Sequence, residues 1–239
     1  MSEDNLQEEI DFWDDFALEY TQIQNESALN IVSDVGNYLA KQIPMKTETL
    51  VDLAGGSGKF LPVLYPLTSN YLLVDFSKEM IALAQKKYPI EKNGFIISEQ
   101  NRFLAQSASQ TYDILFSAMN PAIRTKKDLN EIIRVTKQKV YLLRVIQEED
   151  ALFGPFEEPS QDWDLMAQYK NWLDLPYQSH FFTYQLEEVI TKVFFEAYFE
   201  DDLSPKILEM AVEKFFSTKT IAINRKTITF ELLSINVNS

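Results

Sequence analysis

Two carboxylates with a glycine cluster between them are the residues best suited to hold a polar ligand. Residues 51–60, VDLAGGSGKF, set Asp52 near the end of an apolar run and follow it with Ala54, Gly55, Gly56 and Gly58. Glycines let the backbone turn sharply and come close to a ligand. Three nucleotide-binding loops share this appearance, and spacing separates them. A phosphate-cradling P-loop needs GxxxxGK followed by Ser or Thr, whereas Gly58-Lys59 is followed by Phe60 and Leu53 occupies the required first glycine position. A dinucleotide GxGxxG starting at Gly56 needs glycine where the chain has Leu61. What remains is an acid at a strand end and then A-G-G-S-G. The second carboxylate, Asp75, closes YLLVDF about 20 residues beyond the glycines, a spacing at which a carboxylate can accept two hydrogen bonds from a ribose diol. Phe76 and Met80 follow, where they can flank a base, although Met80 at helical spacing equally suits the core. His180 is the single imidazole and so the one side chain whose ordinary pKa suits proton removal near neutrality.

Composition narrows the chemistry further. The chain has 239 residues with 46% hydrophobic and 24% charged side chains, an ordinary globular balance. There is no cysteine, which excludes disulfide frameworks, thiolate zinc sites and cysteine nucleophiles, and one histidine excludes multi-histidine metal centres. The net charge of −14 is concentrated in residues 1–40, which hold ten acids and no Lys or Arg. Such a surface repels phosphate backbones and argues against a nucleic-acid partner. No apolar run approaches the roughly 18 residues of a membrane span, and MSEDNLQEEI lacks a signal pattern. A cytoplasmic, membrane-free protein is expected.

The elements that must position these residues follow from periodicity. Residues 6–20 and 26–43 read as amphipathic helices, the second ended with the help of Pro44. From there strands alternate with helices. Strands are expected over 48–54, 71–76, 94–98, 112–118 and 139–146, and helices over GKFLPVLYPL, 77–88 with Ser77 as N-cap, and 127–137. Strands apolar on both faces, alternating with helices, mean a mostly parallel sheet covered on both sides, a doubly wound α/β fold. Beyond it, 177–184 reads as a strand and 185–199 and 204–217 as helices, with a terminal antiparallel hairpin about Asn224-Arg225.

These motifs resemble class I S-adenosylmethionine-dependent methyltransferases, whose first motif is acid-x-Gly-x-Gly-x-Gly. Asp52, Gly56 and Gly58 fit it, with Ala54 where the first glycine usually stands. VDFSKEMIALAQKK resembles the second motif, and FWDDFALEY the family's N-terminal helix. The resemblance implies a seven-stranded Rossmann-like core and S-adenosyl-L-methionine as cofactor. Asp52, Ala54, Gly55, Gly56, Gly58, Asp75, Phe76, Met80 and Ser117 would then hold it. One of Glu99, Gln100 and Asn101 would read the adenine, with no ground for choosing among them. After the fourth strand, FSAMNPAI lies where methyl donor and acceptor meet. Asn120-Pro121 stands there in place of the usual His or Trp, and Asn120 is also an ordinary turn former before proline.

Organised this way, the chain is one methyltransferase domain. It has a helical cap (1–44), a cofactor-binding half (45–146), an aromatic and acidic insert or lid (147–176) and a C-terminal half (177–239). Methyl transfer to a small molecule is expected, with O, N or C as acceptor atom. Asn120 and His180 are the catalytic candidates, and Tyr20, Asn120, Trp172 and Tyr177 the substrate-binding ones. The insert's aromatics, Phe153, Phe156, Trp163, Tyr169 and Trp172 among them, would form an apolar acceptor pocket. A sulfonium donor is already activated, so positioning and desolvation can replace strong base catalysis. Two other classes stay open: methylation of a protein or peptide, and non-catalytic S-adenosylmethionine binding.

Overall fold

The computed structural model describes residues 3–26, 28–43, 45–89, 94–158 and 160–238; Pro44 lies outside them. Seven strands form one sheet: β1 (Thr47–Leu53), β2 (Thr68–Asp75), β3 (Phe95–Ile97), β4 (Tyr112–Ala118), β5 (Thr136–Asp150), β6 (Tyr177–Thr191) and β7 (Ile221–Asn236). Their order is β3-β2-β1-β4-β5-β7-β6. The pairs β1–β2, β1–β4, β2–β3 and β4–β5 are parallel. β7 runs against β5, since Val237 N–H donates to Gln138 and Ala151 N–H to Arg225. It also runs against β6, through Asn236 N–H to Pro176 and Lys192 N–H to Thr220.

Nine helices accompany the strands among the described residues: α1 (Glu3–Glu26), α2 (Ile31–Gln42), α3 (Leu61–Leu64), α4 (Lys78–Lys87), α5 (Gln100–Gln106), α6 (Lys126–Val135), α7 (Leu165–Trp172), α8 (Lys192–Tyr198) and α9 (Pro205–Phe215). Central strands read as apolar on both faces because helices cover both: Leu50, Val51, Leu53, Leu73, Ile114, Leu115, Phe116 and Val140 are all buried. Local chemistry fixes the helix starts. Ser77 caps α4 by accepting from Met80 N–H, and Thr125 with Asp128 forms a capping box at α6.

The described chain divides into two compact units, one of Met1–Arg144, Asp164–Phe182 and Glu231–Ser239, the other of Val145–Trp163 and Thr183–Phe230. The first contains β1–β4, the parallel stretch of β5 and α1–α7. The second has its own core of Leu152, Phe153, Phe195, Phe199, Ala211, Val212 and Phe216. Phe153 makes an edge contact with Tyr198 at 5.0 Å and a tilted one with Phe195 at 5.6 Å.

Four local expectations need correction. The stretch GKFLPVLYPL forms only the short α3 and a 3-10 turn over Tyr65–Leu67, since two prolines leave no room for a longer helix. α5 occupies 100–106, a stretch to which the periodicity assigns no element. Residues 185–191 continue β6 and only 192–198 are helical, because cross-strand partners such as Thr229 opposite Thr183 and Arg225 opposite Glu187 override the helical spacing of LEEVI. The antiparallel segment does not turn at Asn224-Arg225; residues 221–236 run as one strand, with Asn224 buried and its amide on Asp150.

Candidate functional site

The strand order reverses between β1 and β4, and ligands of open α/β sheets bind at such a reversal, beyond the carboxyl ends of the strands. The carboxyl ends of β1 and β2 deliver Asp52 and Asp75 to it, with Leu73 beside Asp52 in the parallel register. The glycine loop turns between them. Ala54, Gly56 and Gly58 all adopt left-handed backbone, with φ of 56°, 54° and 78°. Gly55 is demanded by space: a Cβ there would meet Leu73 Cγ at 2.8 Å and the Asp52 carboxyl at 3.0 Å. A Cβ on Gly56 would meet nothing closer than Met80 Sδ at 3.9 Å, so that side of the loop is open.

Asp75 ties the loop to the next helix. Its Oδ2 accepts from Gly56 N–H at 2.8 Å and its Oδ1 from Ser77 N–H at 2.9 Å. Each oxygen retains a lone pair, which suits a diol. Burial pushes its pKa up against these backbone hydrogen bonds, with Asp14 adding to the rise. Asp52 is 2% exposed and accepts from the Tyr71 phenol at 2.6 Å. Burial lifts its pKa to about 7, the Tyr71 hydrogen bond opposing and the Asp75 charge adding. Two acids and a glycine cradle, open on one side, fit the ribose and the cationic groups of S-adenosylmethionine.

α1 is fastened over this end of the sheet by Asp14, which accepts from Ser77 Oγ at 2.6 Å and from Glu79 N–H at 3.3 Å. Lys78 lies 3.6 Å from the same carboxylate. Farther along α1, Tyr20 packs edge-on against Trp13 at 5.2 Å. Burial raises the pKa of its phenol, a hydrogen bond with Gln24 opposing and the Asp75 charge adding to the rise. Phe76 is half-buried at the end of β2, and Met80 is buried beneath the loop.

The other side is a buried amide network. Glu99 caps α5, accepting from the N–H groups of Asn101 and Arg102 at 2.9 Å each, while Asn101 itself is exposed. Gln100 is buried, its Oε1 taking Asn120 Nδ2 at 2.7 Å and its Nε2 donating to Ala122 O. Asn120 Nδ2 also donates to Ser117 Oγ at 3.0 Å, and Ser117 in turn donates to Leu53 O at 2.7 Å. Asn120 Oδ1 accepts from Ala122 N–H, and Arg144 donates to the Asn120 carbonyl at 2.7 Å. Both amide donors of Asn120 are therefore engaged, and it is 2% exposed. It holds the loop after β4 and does not offer a donor to an acceptor. Its neighbour Met119 adopts φ of 53° and is 41% exposed at the end of β4.

His180 is apart from these groups. It lies on β6, three strands from β4 and so roughly 14 Å away at ordinary strand spacing. Its ring stacks on Tyr38 of α2 at 4.2 Å, with Phe182 edge-on at 4.8 Å. The residues of the expected aromatic pocket belong to both units. Phe153 and Phe156 belong to the second unit's core, whereas Tyr169 is fully buried in the first, donating to Ile123 O at 2.8 Å. Trp172 lies half-buried against Tyr169 at 5.8 Å, and Tyr177 is 43% exposed.

Asp14, Tyr71 and Arg144 went unnoticed in the sequence. Arg144 had a legible signal, a charge inside the apolar run KVYLLRVI, and so did the phenol of Tyr71 opening YLLVDF. Asp14 had none, being one acid among many on α1.

A family model described as a methyltransferase domain matches residues 45–188. Among named relatives, a demethylmenaquinone methyltransferase of Chlamydia caviae is 29% identical over 132 residues, covering 53% of this chain and 56% of that protein. A demethylmenaquinone methyltransferase of Chlamydia felis is 30% identical over 140 residues, covering 56% and 58%. The chain thus spans little more than half the length of these relatives. Among solved structures, magnesium protoporphyrin IX methyltransferase from Synechocystis PCC 6803 superposes with a TM-score of 0.50 at 10% identity, over 91% of this chain and 93% of that one. At that identity the likeness bears on the fold. The carboxyl-end glycine cradle and the family match across more than half of the sequence together identify the chain as a member of the methyltransferase domain family.

Proposed function

We propose that this chain transfers the methyl group of S-adenosylmethionine to a small-molecule acceptor. The observation that carries the reading is Asp75, a buried carboxylate that fixes the glycine loop through Gly56 N–H and keeps lone pairs for a ribose diol. When bound, S-adenosylmethionine supplies a methyl group already activated on a sulfonium. The protein's part is to bind, orient and exclude water. In this reading Asp52, Ala54, Gly55, Gly56, Gly58 and Ser117 shape the cofactor cradle, and Phe76, Met80 and Gln100 serve the adenine side. Residues 1–44 act as cap and 45–146 as the cofactor-binding half. Tyr20, Trp172 and Tyr177 contribute apolar surface toward the acceptor.

No strong base is required. Asn120 is committed to its network and His180 to its stack on Tyr38. The names of the two Chlamydia relatives favour an acceptor with an apolar ring, and the charge of −14 favours a neutral or cationic molecule over nucleic acid. No helix among the described residues is long and apolar enough to cross a membrane. A cytoplasmic site of action fits the absence of cysteine. Incubation with S-adenosylmethionine labelled in the methyl group, against a panel of quinols, phenols, amines and acids, tests the reading. Label recovered in a small extractable product, with matching S-adenosylhomocysteine, is expected. Label found only in protein, or none transferred to any acceptor class, would overturn it.

A further inference from the structure

Asp52 and Asp75 are two buried carboxylates at the ends of neighbouring parallel strands, and among the described residues neither is in an ion pair. Buried charges are ordinarily paired, because leaving water without a counter-ion is costly. The hydrogen bonds to Asp75 come from backbone N–H groups, and the one to Asp52 from Tyr71, whose ring is itself 4% exposed. Tyr71 stands two residues before Leu73, the register partner of Asp52, so its phenol reaches along the strand to hold the carboxylate. The Gly55 backbone passes so close that a Cβ added there would lie 3.0 Å from the same carboxyl. Asp52 is thus locked in orientation with its charge unanswered.

We propose that the counter-charge is brought by the cofactor, and that Tyr71 is a positioning residue which aligns Asp52 to receive it, so that cofactor binding expels a proton. The inference rests on the proposed cofactor assignment. S-adenosylmethionine carries a sulfonium and an ammonium against one carboxylate, a net single positive charge, whereas S-adenosylhomocysteine lacks the sulfonium charge. Asp52, lifted to about 7 by burial, holds a proton in the cofactor-free chain below neutrality and gives it up when a cation arrives. Affinity therefore rises with pH through about 7, until the cofactor's own α-ammonium begins to lose its proton at about pH 8.

The groups facing Asp52 are Tyr71 and, at the end of the same strand, Asp75. Behind them stand Tyr88 beside Tyr71, and Asp14 and Tyr20 beside Asp75. Burial pushes the Tyr71 and Tyr20 phenols up, away from this pH range. Asp75 is also raised, so the proton belongs to the pair of carboxylates, and the Asp52→Asn variant separates them.

The test is calorimetric titration of the full chain with S-adenosylmethionine between pH 6 and pH 8, in phosphate and in Tris, whose different ionisation enthalpies count the protons exchanged. The expected result is a dissociation constant that falls about tenfold across the range, with net proton release near pH 7 and a shallower slope for S-adenosylhomocysteine. Tyr71→Phe removes the hydrogen bond that favours the ionised acid, so its curve shifts to higher pH. Asp52→Asn flattens the curve. If Tyr71→Phe does not fold, the wild-type proton count and the Asp52→Asn curve still decide. Binding without pH dependence or proton exchange would overturn the inference alone, as would a Tyr71→Phe curve identical to wild type. No binding at any pH would overturn it together with the proposed function.

Discussion

Ala54 shows how a single side chain records the demands of a ligand loop. It holds φ of 56° where glycine would be unstrained, a conformation that costs an L-residue about 1–2 kcal/mol. Ala54→Gly should return part of that, about 0.5–1 kcal/mol after the added flexibility of the unfolded chain. The melting midpoint should rise by a few degrees; a fall in midpoint would show the strain to be absent. Asn120 gives the opposite expectation. Asn120→Ala strips the buried Gln100 Oε1 and Ala122 N–H of their partner, and should cost about 1–3 kcal/mol in chemical denaturation. A neutral effect would mean the network is not what holds the loop. The cofactor residues were legible because an acid, a small-residue loop and a second acid are read from local spacing. The partners of those residues were not, since Tyr71 meets Asp52 and Arg144 meets Asn120 only after strands from distant sequence are laid side by side.

Each secondary element was legible to the extent that its own periodicity decided it. β4 lies where the apolar run YDILFSA put it, and α4 starts at the Ser77 cap. α5 was missed because seven residues are too few for a helical period, and its start depends on the Glu99 cap. β6 was cut short because its outer half alternates weakly and needs β7 to make it a strand. α1 is fastened to α4 by Asp14, which accepts from Ser77 Oγ and Glu79 N–H, and by Asn25, which accepts from Lys87. Asp14→Ala should weaken the α4 cap by about 1 kcal/mol and free α1. Amide hydrogen exchange should quicken across residues 3–26 while the exchange of β1 and β4 holds. Unchanged protection of α1 would assign its docking to the aromatic contacts instead.

At the scale of the molecule, the doubly wound half was readable from alternation alone, whereas the second unit was not. Its core joins Phe153 to Phe195, Phe199 and Phe216 across more than forty residues of sequence, which no local pattern announces. The charge balance also has a consequence for stability. Asp52 has its folded pKa raised to about 7 from 3.8, so the folded state binds the proton more tightly than the unfolded one. Its contribution is present below the unfolded pKa and is lost as pH rises from about 4 to about 7, by at most about 4 kcal/mol. In the cofactor-free chain, Asp52→Asn should therefore gain stability over wild type as pH rises across that window; parallel curves would contradict the assignment.

The central claim is that the loop between Asp52 and Asp75 holds S-adenosylmethionine, and titration calorimetry of wild type beside Asp75→Ala tests it most directly. The account predicts binding of S-adenosylmethionine and S-adenosylhomocysteine, none of a nicotinamide dinucleotide, and a loss of about 10- to 100-fold in affinity for Asp75→Ala. No binding of either sulfur compound, or an Asp75→Ala dissociation constant equal to wild type, would contradict it.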